Sequence, residues 1–236
     1  MQTYHDKFDK VVLNKHRTAP EYSQKNNSIR TKGILKRVEP VRLQFFNSFE
    51  NPSKSQIYWM PAFNYNNYDK LLLSVQLHNR SVAFVRKPFE YRLEPEYSTG
   101  TNTLTGSFSS LWNFTPSKGP FHRVSTGFYT RYNHYAEDLG FFRFSPSLNL
   151  FFRRNYAESN VLQRLRFRGI VLQQEELQDI DDLNSPRNYD GYNLASVTYT
   201  LENINLLKPI TLVSDFQIGS EYSLLSSSLD LRWMLP

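Results

Sequence analysis

From Phe89 to Tyr97 the chain alternates without a fault: Phe89, Tyr91, Leu93, Pro95 and Tyr97 are interleaved with Glu90, Arg92, Glu94 and Glu96. In an extended strand successive side chains point to opposite faces, so these two sets occupy two sides of one ribbon. A strand charged on one side folds only when its other side is buried in something apolar and its charges meet water or counter-charges. The apolar phase is either a protein core or the hydrocarbon of a bilayer. The choice between them decides which functions are open to the chain.

The same two-residue period recurs along most of the sequence. Val41 to Asn47, Ile57 to Phe63 and Leu71 to His78 precede the charged strand. After it come Leu104 to Phe114, Arg123 to Tyr132, Phe142 to Arg153 and a strand around Arg164 to Val171. Tyr192 to Asn203, Ile210 to Tyr222 and Ser226 to Leu235 complete a set of about eleven. Short connections rich in Asn, Gly, Pro and Ser, such as Ser98 to Asn102 and Pro116 to Pro120, suit consecutive hairpins. Gln173 to Asp190 is longer and acidic, with Glu175, Glu176, Asp179, Asp181 and Asp182, and is expected as an exposed rim loop. Residues 1–40 are polar and largely aperiodic, and are expected as a linker or the end of a preceding domain. Residues 41–236 form the β domain. The expected fold is all-β, an antiparallel up-and-down meander forming a transmembrane β-barrel, complete or not.

Composition narrows the functional classes. Aromatic residues make up 15% of the chain, which favours strands. There are no cysteines, so disulfides and thiolate metal sites are excluded. The formal charge is +6, but the basic residues are scattered and an acidic stretch interrupts them, so no nucleic-acid partner is expected. No apolar run approaches the ~20 residues of a membrane helix. A membrane barrel escapes that test, because only alternate residues face lipid, and the mean hydropathy of −0.56 suits one.

A soluble sandwich also has one apolar and one polar face per strand. Two features favour lipid. Several strands reach the ~9–11 residues that cross a bilayer, and aromatics such as Tyr97, Trp112, Phe114, Tyr132, Phe142 and Phe152 fall near strand ends, where interfacial girdles lie. An arginine facing mid-membrane lipid costs about 2–4 kcal/mol. Arg164, Arg166 and Arg168 share one strand face and are therefore expected to point into the lumen, with Glu90, Glu94 and Glu96 available as partners and Arg92 beside them.

Between residues 27 and 106 the chain carries Ile29-Arg30-Thr31-Lys32-Gly33-Ile34-Leu35-Lys36-Arg37-Val38-Glu39-Pro40, Ser48-Phe49-Glu50-Asn51-Pro52 and Asn64-Tyr65-Asn66-Asn67-Tyr68-Asp69-Lys70. Lys87-Pro88-Phe89-Glu90-Tyr91 and Pro95-Glu96-Tyr97 follow. This stretch resembles the C-terminal β-barrel region of aminopeptidase-N-like (gluzincin) zinc metallopeptidases of Gram-negative bacteria. The likeness extends over most of residues 27–236 and rests on turn and strand patterns, not on chemistry. It implies a bacterial outer-membrane barrel with membrane lipid and an upstream peptidase domain in cis as its partners.

The catalytic motif of such peptidases is H-E-x-x-H on a helix, two imidazoles for zinc and a glutamate for water. None of the five histidines begins it. His134-Tyr135-Ala136-Glu137-Asp138 only echoes it, in an expected turn. The chain is therefore expected to be neither an enzyme nor a metal protein in itself, with zinc confined to an upstream domain and no catalytic or metal residue assigned. The leading expectation is a membrane anchor and a fragment of a longer protein. An outer-membrane transport or surface-binding barrel, and a soluble β-rich binding domain, are the alternatives.

The remaining constellations are weak. Glu90, Glu94 and Glu96 read better as charges balancing arginines than as a glycosidase pair. The acidic loop lacks the spacing and glycine of a calcium-binding hand. His122 and His134 read as satisfied polar residues.

Overall fold

The computed structural model describes residues 10–14, 24–31, 39–82, 86–136, 139–154, 156, 158–178, 186–205 and 209–231. Apart from one 3-10 turn at Lys25–Asn27, the described secondary structure is all β. Strands β1 (Lys10–Val12) and β2 (Ser28–Arg30) form a small antiparallel ribbon within the segment expected as a linker. The remaining strands are β3 (Val41–Phe45), β4 (Ser55–Asn66), β5 (Lys70–His78), β6 (Phe89–Ser98), β7 (Leu104–Phe114) and β8 (Phe121–Ala136). They continue through β9 (Leu139–Phe152), β10 (Val161–Leu177), β11 (Arg187–Asn203), β12 (Ile210–Gly219) and β13 (Ser223–Leu231).

These eleven strands lie in one sheet in strict sequence order, from β3 to β13. Among the described residues no pairing closes β13 onto β3, so the sheet has two ends. One junction departs from the expected antiparallel meander. Strand β3 runs parallel to β4, with Val41 beside Ser55 and Phe45 beside Trp59. The chain leaves β3 through Phe46, whose φ is 55°, and turns back at Asn51, whose side chain accepts hydrogen bonds from the backbone N and Oγ of Ser53.

A second departure concerns the acidic loop. Gln173 to Leu177 continues β10, and Arg187 to Asp190 begins β11, in register from Gln173 opposite Gly191 to Leu177 opposite Arg187. The connection is thus confined to residues 178–186, and Asp179, Asp181 and Asp182 lie outside the described residues. The charges on Glu175, Glu176 and Asp190 mask strand pattern at a solvent-exposed end, where polar residues occupy both faces.

The chain divides into two compact units, residues 1–60 with 76–85, and residues 61–75 with 86–236. In the first, Tyr58 is fully buried, donates from its hydroxyl to Ser48 O and Gln56 Oε1, and stacks on His78 at 5.5 Å. Gln56 Nε2 donates to Gln44 Oε1 at 2.6 Å, continuing a polar network rather than an apolar core.

In the second unit two of the interior strand prolines, Pro95 and Pro146, lie beside a glycine. Pro95 of β6 is opposite Gly106 of β7, which has φ of 143°, and a Cβ there would strike the Glu94 carbonyl oxygen. Pro146 of β9 packs its ring where a Cβ on Gly169 of β10 would meet it at 3.0 Å. Proline contributes no ladder donor and needs room beside it, which glycine supplies. Gly106→Val is expected to destabilise the unit by roughly 1–3 kcal/mol, since it adds strain at that φ to a backbone collision. A denaturant titration reads the loss.

Candidate functional site

Cross-strand register connects side chains into rows that run across β6 to β13. One row reads Phe89, Trp112, Thr126, Leu148, Phe167, Val197, Phe216 and Leu225. Its neighbour on the other face reads Glu90, Leu111, Gly127, Ser147, Arg168, Ser196, Gln217 and Leu224. From β6 to β12 the sheet therefore keeps one mainly apolar and one mainly polar side, as the alternation requires. On the apolar side, rings of Phe89, Trp112, Phe128 and Phe144 follow one another at 5.1, 6.2 and 5.5 Å.

Burial is inverted relative to a water-soluble domain. Among the described residues the fully buried apolar side chains are Tyr58 and Leu72 alone, while Glu90, Glu94, Glu96, Thr105, Asn133, His134 and Thr200 are buried. Phe89, Leu93, Tyr97, Phe114, Phe142, Phe167 and Phe216 are exposed. In β5 Leu71, Leu73 and Val75 are exposed along with Lys70, and the buried residues are Leu72, Ser74, Gln76 and His78. A protein core of two apolar side chains supplies far too little hydrophobic stabilisation for a chain of this length, since each contributes about 1.5–3 kcal/mol.

By register Glu90, Arg92, Glu94 and Glu96 of β6 and Arg164, Arg166 and Arg168 of β10 lie on the same face of the sheet, four strands apart. Their pairing differs from the expected one. Glu94 Oε2 is held by Arg92 Nη2 of its own strand at 2.7 Å. Glu96 accepts from Asn64 Nδ2 at 2.7 Å and lies 3.9 Å from Arg131 Nη2. Glu90 Oε1 accepts the backbone N–H of Lys87. The carboxylates are thus engaged from β4, β6, β8 and the segment just before β6, and none of them pairs with Arg164, Arg166 or Arg168 on β10. Sequence parity gives a face but not a neighbour, which is why the pairing was not legible.

Arg123, Arg131 and Arg143 join the same side, and parity alone suffices to place them there. Arg131 and Arg143 stand directly opposite one another on β8 and β9. Arg123 covers the ring of Phe151 at 3.4 Å, and Arg143 Nε donates to Ser145 Oγ at 3.1 Å.

A second cluster lies at the turns that join β4 to β5 and β6 to β7. Asp69, wholly buried, accepts from Asn66 Nδ2 at 2.8 Å, Thr101 Oγ1 at 3.2 Å and the backbone N–H of His134 at 3.3 Å. His134 Nδ1 is 2.7 Å from Asp69 Oδ1. The Asp69 carbonyl oxygen accepts from Ser98 Oγ and Gly100 N. Burial pushes the Asp69 carboxyl up, but hydrogen bonds from Asn66, His134 and Ser98 outweigh it and hold it below the ordinary carboxylate range. His134 is in β8 and not in a turn, so its echo of a zinc motif has no helical geometry. Asp69 ties the two turns to β8 through His134, and Tyr132 meets the His134 ring edge-on at 5.6 Å. His122 Nδ1 is 2.9 Å from Phe152 O.

No group of three or more metal-ligating side chains is found among the described residues. Comparison with family models, with curated proteins and with solved structures finds no match to this chain.

Proposed function

We propose that this chain is an outer-membrane β-barrel anchor whose apolar side meets lipid and whose polar side lines an interior, and that it holds a metallopeptidase-like domain at the bacterial surface. The observation that carries the membrane part is the inversion: exposed Phe and Leu rows on one side, buried Glu, Ser, Asn and His on the other. Lipid replaces the missing core as the apolar phase. Strands β6 to β13 are 9–17 residues long, sufficient for a tilted crossing. Attachment to a peptidase rests on the sequence resemblance alone. The chain's own residues offer anchoring and a polar interior, and no catalytic step is assigned to them.

The test is partition. The full chain, refolded from urea into phosphatidylcholine vesicles, is expected to float with them on a density gradient and to resist alkaline carbonate extraction. A protein that stays soluble and monomeric without lipid or detergent would overturn the membrane reading. The peptidase part is tested separately, by whether the gene encodes an H-E-x-x-H domain in frame upstream of this segment.

A further inference from the structure

We propose that the arginine field on the polar side of β8 to β10 is a binding surface for water-soluble compounds bearing several phosphate groups. Arg164, Arg166 and Arg168 project from one face of β10, with ~6.5–7 Å between successive side chains of that face. That spacing lies inside the Debye length of ~8 Å at physiological salt, so their charges repel one another. Arg143 on the neighbouring strand β9, and Arg123 on β8 one strand further, enlarge the same field.

No carboxylate of the described structure closes an ion pair with it, although the charge of Arg166 is felt at Asp215. Among the described residues none of these five arginines has a carboxylate within 4 Å; the ion pairs on this face go to Arg92 and Arg131 instead. Two acids share this face: Glu202 of β11, one strand from Arg164 and two residues along from its partner Thr200, and Asp215, two strands from Arg166 and engaged by Thr198 Oγ1 at 2.6 Å and Gln217 Nε2 at 2.5 Å. The Nε atoms of Arg123 and Arg166 are buried without a hydrogen-bond partner. A buried guanidinium N–H left unmade is costly and points to an acceptor that the chain itself does not supply.

The chemistry of the neighbours selects the acceptor. Thr200, Thr198 and Ser196 of β11 stand opposite Arg164, Arg166 and Arg168, and Ser147 flanks Arg168 on the other side. Guanidinium forks flanked by the hydroxyls of Thr200, Ser196 and Ser147, with that of Thr198 held by Asp215, match the several oxygens of a phosphate, which accept bidentate hydrogen bonds, better than they match a spherical halide. Three forks in line favour a ligand with more than one anionic group over a single one. The surface faces away from the Phe and Leu rows, so a soluble phosphate compound, not a lipid headgroup in the surrounding bilayer, is the committed ligand.

The inference rests on the two-sided sheet and survives failure of the membrane reading, because binding is measured in neutral detergent and insertion is not required. Sodium tripolyphosphate, inorganic phosphate and chloride are titrated calorimetrically into the full chain. Tripolyphosphate is expected to bind at least about tenfold more tightly than phosphate, with no heat from chloride. Arg164→Gln/Arg166→Gln/Arg168→Gln is expected to weaken tripolyphosphate by about tenfold or more, Arg166→Lys to weaken it less, and Arg154→Gln, at an exposed site outside the field, to leave it unchanged. Far-UV circular dichroism checks folding, and the single variants Arg166→Gln and Arg168→Gln replace the triple one if it does not fold. Vesicles containing phosphatidic acid should not compete. Absence of tripolyphosphate binding, equal binding by folded variants, equal loss in Arg154→Gln, or competition by the anionic vesicles would each overturn the assignment.

Discussion

Phe167→Arg is expected to destabilise the vesicle-inserted protein by about 2–4 kcal/mol, the cost of arginine on the lipid face near mid-membrane. Phe167 is 38% exposed and lies in the middle of the apolar row between Leu148 and Val197. In a water-soluble fold an arginine at so open a position would change stability by only about 0.5 kcal/mol. The substitution therefore separates the two solvents directly. Leu111→Arg, on the polar side of β7 opposite Glu90, serves as its control and is expected to cost much less in lipid. Denaturant titration of vesicle-folded and micelle-folded protein reads both. Equal, small effects at the two positions would defeat the lipid-facing assignment.

Asp69→Ala is expected to cost about 3–5 kcal/mol, because it leaves the buried His134, Asn66 and Thr101 donors without their acceptor. Asp69→Asn retains the shape but presents a donor where two donors already point, and is expected to lose somewhat less. The pH dependence has a fixed sign. Folding lowers the Asp69 carboxyl below its ordinary 3.8, so the unfolded chain takes up this proton first on acidification. Stability from this group is present above that unfolded value and is lost as pH falls through the lower folded one. Wild-type protein should therefore weaken below about pH 4, and the acid limb should be flatter in Asp69→Asn. Parallel acid limbs in the two proteins would remove Asp69 from the explanation.

Much of this sheet was written in the alternation. Phe89 to Tyr97, Leu104 to Phe114 and Phe142 to Phe152 could be assigned to strands and faces because their parity is unbroken. Direction is a different matter. Val41 to Phe45 alternates equally well whether it runs parallel or antiparallel to its neighbour, and the parallel pairing is set by the turn at Asn51. Strand ends are equally opaque: Glu175, Glu176 and Asp190 look like loop because a rim position has no apolar side to reveal. The Asp69 cluster was beyond reach for a simpler reason. Asp69 and His134 are 65 residues apart in the chain, and only the stacking of successive hairpins brings their side chains together. The unpaired state of Arg164, Arg166 and Arg168 was hidden likewise, since it depends on which strands take the carboxylates.

The two proline–glycine encounters bear on how such a sheet is assembled. A hairpin that forms one residue out of register turns its whole apolar face to the wrong solvent, and no later step in a growing sheet easily repairs it. A one-residue slip of β6 on β7 would set Pro95 against Thr105 or Ser107, and a slip of β9 on β10 would remove Pro146 from Gly169. Each pair accepts one alignment and obstructs the two adjacent ones at the moment the strands meet. They act as a pair of keyed teeth, one at β6 and β7 and one at β9 and β10, which reject a misaligned hairpin before its neighbours are added.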